Sequence, residues 1–229
     1  MSPPPLPPDR PWRIELLLLA GFGALTLALA AGALLDVDVA VRDWCQTHRY
    51  LPLPELARVL NFCGSANLLA PVLLALGGWL ALRGHTLRPI LLVVVTFASG
   101  YLVVVPLKML TDRAAPHSAQ PDSVHLFAND SGWSYPSGHL VNAVIWYPLL
   151  ILLIEQLRGR PLPVRVRRVL RVAPVVVVTA TVTYLGFHWL TDAAAGLLLG
   201  LALERTLRRT LPVDQGKPAG NELISSRRT

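Results

Sequence analysis

An apolar run from Pro89 to Leu107, with no charged residue in it, constrains this chain more than any other feature. A bilayer core about 30 Å thick takes roughly 20 apolar residues as a helix, and inside it no water satisfies a stray backbone group. The run is therefore a membrane helix. Composition agrees: charged residues make up 15% of the 229-residue chain and apolar residues 53%, whereas soluble domains carry roughly 25% charged residues. Disorder and coiled coil are excluded. The chain reads as an all-α polytopic membrane protein.

Further apolar blocks predict spans at Ile14–Leu35, Phe62–Leu82, Ser137–Leu157 and Val172–Phe187. A sixth, Ala193–Leu203, is short before Glu204 and Arg205, and reaches spanning length only by starting near His188. Charge decides in its favour. With six spans and the N-terminus inside, the outer segments keep only Arg42, Arg49, Arg58, Lys108 and Arg113 of 21 basic residues. Without the sixth span the whole basic tail would be exported, against the positive-inside tendency. The expected architecture is a bundle of six transmembrane helices with both termini cytoplasmic. A proline-rich disordered tail occupies 1–13, the membrane domain 14–210 and a basic tail 211–229.

The net charge of +7 does not imply nucleic acid, because the basic residues lie between apolar blocks and set orientation in the bilayer instead. Two cysteines, Cys45 and Cys63, exclude a disulfide-rich scaffold and a Cys-based zinc cluster. Both fall on the expected outer side, where a bridge between them remains open. Segment Val37–Tyr50 sets Val37, Val41, Trp44 and Cys45 on one helical face, which suits a helix lying at the interface. Segment Thr111–Tyr135 is rich in Pro, Ser, Asp and Gly and cannot span; loops this long are usually functional or disordered. Its triplet Asn129-Asp130-Ser131 matches a glycosylation acceptor, a pattern frequent by chance.

This topology brings three polar clusters to the outer face: Lys108 and Arg113 after the third span, Tyr135–His139 before the fourth, and His188–Asp192 before the sixth. Ionisable residues at such depth are functional candidates. Pro136-Ser137-Gly138-His139 opens a helix whose unpaired N–H groups and dipole favour an anion, with the Ser137 hydroxyl as a further donor. The same four residues also read as an N-cap with an interfacial histidine. His188 and Asp192 stand four apart, on one helical face. There a carboxylate can hold one ring nitrogen and free the other to attack, or the pair can simply cap the helix. Lysine is rare in the chain, with only Lys108 and Lys217, which draws attention to Lys108.

Taken together, these residues resemble the membrane branch of the type 2 phosphatidic-acid phosphatase superfamily. That family carries Lys, six residues, Arg-Pro; then Pro-Ser-Gly-His; then Ser-Arg, five residues, His, three residues, Asp. Here Lys108 and Pro116 keep the first spacing, Pro136–His139 is intact, and His188 and Asp192 close the third motif, with Tyr184 and Gly186 in its usual surroundings. The resemblance covers about Ile14–Leu207. It implies a lipid phosphatase with its active site at the outer face of a cell membrane and no metal or other cofactor. Its substrate would be a lipid phosphate in the bilayer, either a polyprenyl phosphate or diphosphate or a phosphatidate-like lipid. His188 would be the nucleophile that forms a phosphohistidine, Asp192 its orienting partner, and His139 the acid that protonates the leaving oxygen. Lys108, Ser137 and Gly138 would cradle the phosphoryl oxygens.

Two departures stand out. Ala115 occupies the first motif's arginine position, and Thr181-Val182 replaces the third motif's Ser-Arg. Arg113 is the expected substitute on the phosphate, with His117 and His125 as weaker loop candidates. The same histidine chemistry also allows a head-group phosphotransferase, and a thinned cradle allows a catalytically impaired anionic-lipid binder.

Overall fold

The computed structural model describes residues 11–118, 123–128 and 132–211 of the chain. Most of the tails expected over 1–13 and 211–229, and the Asn129-Asp130-Ser131 triplet, lie outside the described residues. Among those residues all regular structure is helical: α1 (Arg13–Ala30), α2 (Leu35–Thr47), α3 (Leu53–Asn61), a 3-10 turn (Phe62–Gly64), α4 (Ala66–Gly84), α5 (Arg88–Thr111), α6 (Gly138–Arg158), α7 (Val164–Tyr184) and α8 (Leu190–Thr210). Four of them, α1, α4, α5 and α6, are long and apolar enough to cross a membrane. Helices α7 and α8 are 21 residues each, but their apolar parts are cut short by arginines at one end. Arg165, Arg167, Arg168 and Arg171 open α7, and Arg205, Arg208 and Arg209 close α8.

The boundaries differ from the sequence expectation where chain-turning residues intervene. The first span stops at Ala30, where Gly32 (φ 81°) and Leu34 (φ 67°) turn the chain into α2. The second expected span begins later, at Ala66, because α3 and the 3-10 turn precede it; Ser65 caps α4 by accepting from the Asn67 amide at 3.2 Å. Helix α5 continues past Leu107 for another turn, carrying Lys108 on it.

Helix α6 sits at the centre, packed against α4, α5, α7 and α8, and its Ile145, Trp146 and Leu153 are buried with Leu73 of α4 and Val93 of α5. Outward-facing side chains such as Leu17 and Leu27 of α1 and Leu102 of α5 are about 70% exposed, an apolar exterior suited to hydrocarbon. Helix α1 lies along α8, locked at one end where buried Glu15 bonds Arg205 at 3.1 Å and Arg209 at 2.8 Å. At that same end Glu155 of α6 meets Arg167 of α7 at 3.7 Å. The opposite end gathers the tips of α5, α7 and α8, the start of α6, and α2 and α3.

Helix α2 departs from the simple interfacial reading in one respect. Val37 and Trp44 do face outward, at 46% and 60% exposure, but Leu35, Asp38 and Cys45 face the bundle and are buried. Both cysteines are free thiols. Burial pushes the Cys45 thiol pKa up.

Candidate active site

Helix α6 reaches the site because glycine lets α8 approach it closely. A Cβ at Gly196 would lie 2.5 Å from the Ser137 carbonyl oxygen, too close for any other residue without displacing α6. The contact carries a hydrogen bond, from the Ser137 amide to the Asp192 carbonyl at 3.0 Å. The Pro-Ser-Gly-His segment is thereby stitched to the start of α8. Ser137 is the N-cap of α6, so Pro136 precedes the cap rather than occupying the first helical position. The Ser137 side chain accepts no capping bond, and its hydroxyl is fully buried without a partner among the described residues. First-turn amides of a helix have no intrahelical acceptor. Lys108 lies beside them, with its Cε 3.8 Å from where a Gly138 Cβ would stand.

His188 lies in the turn between α7 and α8 and is 6% exposed. Its Nδ1 is 2.8 Å from the Ser134 carbonyl oxygen. A carbonyl only accepts, so the ring proton sits on Nδ1 and Nε2 carries a free lone pair. The four-residue spacing allows Asp192 to accept that proton. Instead Asp192 Oδ2 stands 3.7 Å from Nδ1, and the Ser134 hydroxyl donates to the same carboxylate oxygen. Ser134 comes between because the loop folds back on itself. Its amide bonds the Arg113 carbonyl at 2.9 Å, and a Cβ at Gly132 would lie 2.2 Å from that same carbonyl oxygen. Burial pushes the His188 imidazole below its usual pKa, Lys108 adds to this, and Asp192 opposes it. Desolvation thus favours the neutral ring that a nucleophile requires.

Asp192 also caps its own helix, accepting from the Trp189 amide at 2.8 Å. Capping and histidine contact, which compete as readings of the sequence, coexist in one carboxylate. The His139 and His188 rings meet edge to face with centroids 5.8 Å apart. Asn61, at the end of α3, puts Nδ2 3.4 Å from His139 Nε2. Lys108 Nζ bonds the Trp133 carbonyl and lies 3.4 Å from the Ser134 carbonyl that holds His188. Lys108, Ser137, Gly138, His139, His188 and Asp192 are therefore brought together.

Arg113 does turn inward and is fully buried, but it meets the chain's own acceptors. Nη1 donates to Asp192 Oδ1 at 2.6 Å and to Thr191 Oγ1 at 2.8 Å. Nη2 donates to Asp38 Oδ2 at 2.7 Å, and Nε to the Val124 carbonyl at 2.9 Å. Most of the fork expected on a phosphate is thus engaged by two carboxylates, a hydroxyl and a carbonyl. His117 bonds the Gly186 carbonyl at 2.8 Å, and His125 is exposed. Val182, at the vacated arginine position, is packed among Leu140, Val178 and Ala193. Among the described residues no group of three or more His, Cys, Asp or Glu side chains is arranged to hold a metal ion.

Sequence reasoning missed Asp38, Asn61, Ser134 and Thr191. Asp38 left one trace: it shares a helical face with Leu35 and Cys45, an acid on the buried side of an amphipathic helix. Ser134 and Asn61 left none.

The sequence pattern of the PAP2 superfamily matches residues 89–213, more than half of the chain. Phosphatidylglycerophosphatase B of Bacillus subtilis (strain 168) is 28% identical over 185 residues, covering 80% of this chain and 87% of that protein. The crystal structure of a transmembrane PAP2-type phosphatidylglycerolphosphate phosphatase from Bacillus subtilis superposes with a TM-score of 0.70 at 24% identity, over 86% of this chain and 94% of that one.

Proposed function

The chain belongs to the PAP2 superfamily and is a membrane lipid phosphatase of it, and from that premise we propose that it hydrolyses a lipid phosphate monoester at the outer leaflet through a phosphohistidine on His188. The observation that carries the reading is the fixed tautomer of His188, with Nδ1–H held by a carbonyl and Nε2 free, beside a His139 ring whose centroid lies 5.8 Å from its own. Nε2 attacks phosphorus, and the bond to the lipid oxygen breaks. His139 gives that oxygen its proton, so the lipid alcohol leaves neutral. His139 then takes a proton from water, which attacks the phosphohistidine, releases inorganic phosphate and restores His188. Lys108, the unpartnered Ser137 hydroxyl and the Gly138 amide stabilise the equatorial oxygens as charge develops.

Phosphatidylglycerophosphate, the lipid in the name of the Bacillus subtilis relative, is the first substrate to test, and phosphatidic acid and a polyprenyl diphosphate follow it. Purified protein is incubated with each, and free phosphate and new lipid products are followed. Hydrolysis releases one phosphate per lipid turned over, leaving an alcohol from a monoester and a monophosphate from the diphosphate, and a chelator is expected to leave the rate unchanged because the proposed mechanism uses protein groups alone. Transfer of the phosphoryl group to a second lipid, without free phosphate, overturns the hydrolase reading.

We further propose six spans, with α7 and α8 as the fifth and sixth and both chain ends cytoplasmic. The ion pairs of Glu15 with Arg205 and Arg209, and of Glu155 with Arg167, support alternating helices with the arginine-rich ends on one side. That side is the cytoplasm by charge bias. Reporters fused after Arg160 and after Arg209 are expected inside, and one inserted within Ser118–Asn129 outside. The reverse pattern would put the site on the cytoplasmic leaflet.

A further inference from the structure

We propose that Asp38 is a positioning residue of this reaction: by binding Arg113 it lets the guanidinium fix Asp192 in place without cancelling the charge that His188 needs. The proposal rests on the hydrolase reading above. Asp38 lies on α2, outside the residues 89–213 that carry the superfamily pattern. Its carboxylate is fully buried and bonded on three sides. It accepts from Arg113 Nη2 at 2.7 Å, from the Thr191 amide at 3.0 Å and from the Thr191 hydroxyl. Thr191 in turn accepts from Arg113 Nη1 at 2.8 Å, which closes a ring of bonds through α2, the loop after α5 and the first turn of α8.

The charge arithmetic gives this ring its purpose. Arg113, 2.6 Å from Asp192 Oδ1, would by itself make a neutral pair with that carboxylate. Asp38 on the other arm of the fork leaves the three groups with a net single negative charge. His188 gains positive charge as Nε2 bonds to phosphorus, and Asp192 Oδ2 faces its Nδ1 at 3.7 Å. With water excluded, a neutralised Asp192 would support that charge poorly. Asp38 therefore holds the geometry through Thr191 and the charge balance through Arg113.

The test compares the parent with Asp38→Asn, Arg113→Gln and the double variant, each as the full chain in detergent micelles with phosphatidic acid. The charged groups facing His188 are Asp192 from α8, Lys108 from α5, His139 from α6 and, through Asp192, Arg113; Arg42 of α2 lies over the Trp189 ring at 5.6 Å. Asp38→Asn leaves Arg113 paired with Asp192 alone, and the two together carry no net charge. This disfavours protonated His188, so the acid limb of kcat/KM moves to lower pH. The expected fall in kcat is about 10- to 100-fold, the range of one hydrogen bond to a charged group. KM and the inhibition constant of inorganic phosphate stay within about three-fold in both single variants, because neither residue grips the phosphate. The double variant restores the net charge; its acid limb returns to the parental pH and kcat recovers to within about tenfold of the parent.

An unchanged kcat in Asp38→Asn overturns the proposal. So does a loss in Arg113→Gln seen mainly in KM and phosphate inhibition, which would put Arg113 on the substrate. A loss of kcat with an unmoved acid limb overturns it too, in favour of a purely structural cap. Should Asp38→Asn not fold, the double variant carries the test, and a loss there beyond about 100-fold with a parental phosphate affinity overturns it. A parent that turns over no lipid phosphate overturns the hydrolase reading and this proposal with it, whereas a working parent with any of these variant outcomes overturns the proposal alone.

Discussion

His188→Ala is expected to abolish turnover while leaving the protein folded and inserted in the membrane. The imidazole makes few structural bonds. Its Nδ1 donates to one loop carbonyl, that of Ser134, at 2.8 Å. The same carbonyl is also approached by Lys108 Nζ at 3.4 Å, which gives it a second donor when the ring is gone. The surrounding turn is held by other contacts: Trp189 Nε1 bonds the Ala114 carbonyl at 2.9 Å, and the Trp189 amide bonds Asp192. Removing the ring therefore leaves the frame standing and takes away the atom that the proposed mechanism uses to attack phosphorus. Among the described residues no neighbour is expected to replace it, because the proposed mechanism gives His139 the proton transfers and Lys108 is bonded to loop carbonyls. Thermal unfolding and recovery from the membrane fraction should match the parent, while phosphate release and covalent phosphoenzyme both vanish. Substantial turnover in this variant would sink the phosphohistidine mechanism.

Asp192→Asn should cost on the order of two or more decades in rate, as replacing a catalytic carboxylate with its amide does in a histidine–aspartate pair. The amide keeps the shape but not the charge. Asp192 accepts from Arg113 Nη1, the Ser134 hydroxyl and the Trp189 amide, besides facing His188. An amide offers one accepting oxygen and turns a donor toward one of those donors, so at least one bond is lost and one contact becomes repulsive. The imidazolium formed during attack loses its facing anion, and the ring's position is no longer constrained through Ser134. Single-turnover measurements should place the loss in phosphoenzyme formation rather than in substrate affinity. A variant within about threefold of the parent would mean that Asp192 is only a helix cap.

Much of this molecule is written in local patterns. Pro89–Leu107 predicts a membrane helix because its apolar side chains and self-satisfied backbone suit hydrocarbon, and α5 forms there. The pairing of His188 with Asp192 is legible because a spacing of four residues puts both on one side of a helix start, where the structure brings them within 3.7 Å. Helix α3 was not legible, since Leu53–Asn61 is short and follows a proline. Neither was the inward face of α2, where an apolar outer stripe masked a buried carboxylate.

Arg113 separates the two kinds of information most sharply. The chain alone draws attention to it, because Ala115 and Val182 leave the usual arginine positions empty and Arg113 is the basic residue beside them. What it binds depends on Asp38, 75 residues away, and on Asp192, 79 residues away. The same holds for the proton of His188. Spacing alone offers Asp192 as its acceptor, whereas a loop carbonyl 54 residues upstream takes it. Helix formation, membrane insertion and motif spacing depend on side chains near one another along the chain, so they can be read from it directly. The partner of a buried charge is set by which loops and helix ends meet after packing, and at Gly196 and Gly132 the absence of a Cβ decides that meeting. The protein's class and the two histidines proposed to react are legible in the sequence, while the electrostatic setting around those histidines belongs to the tertiary structure.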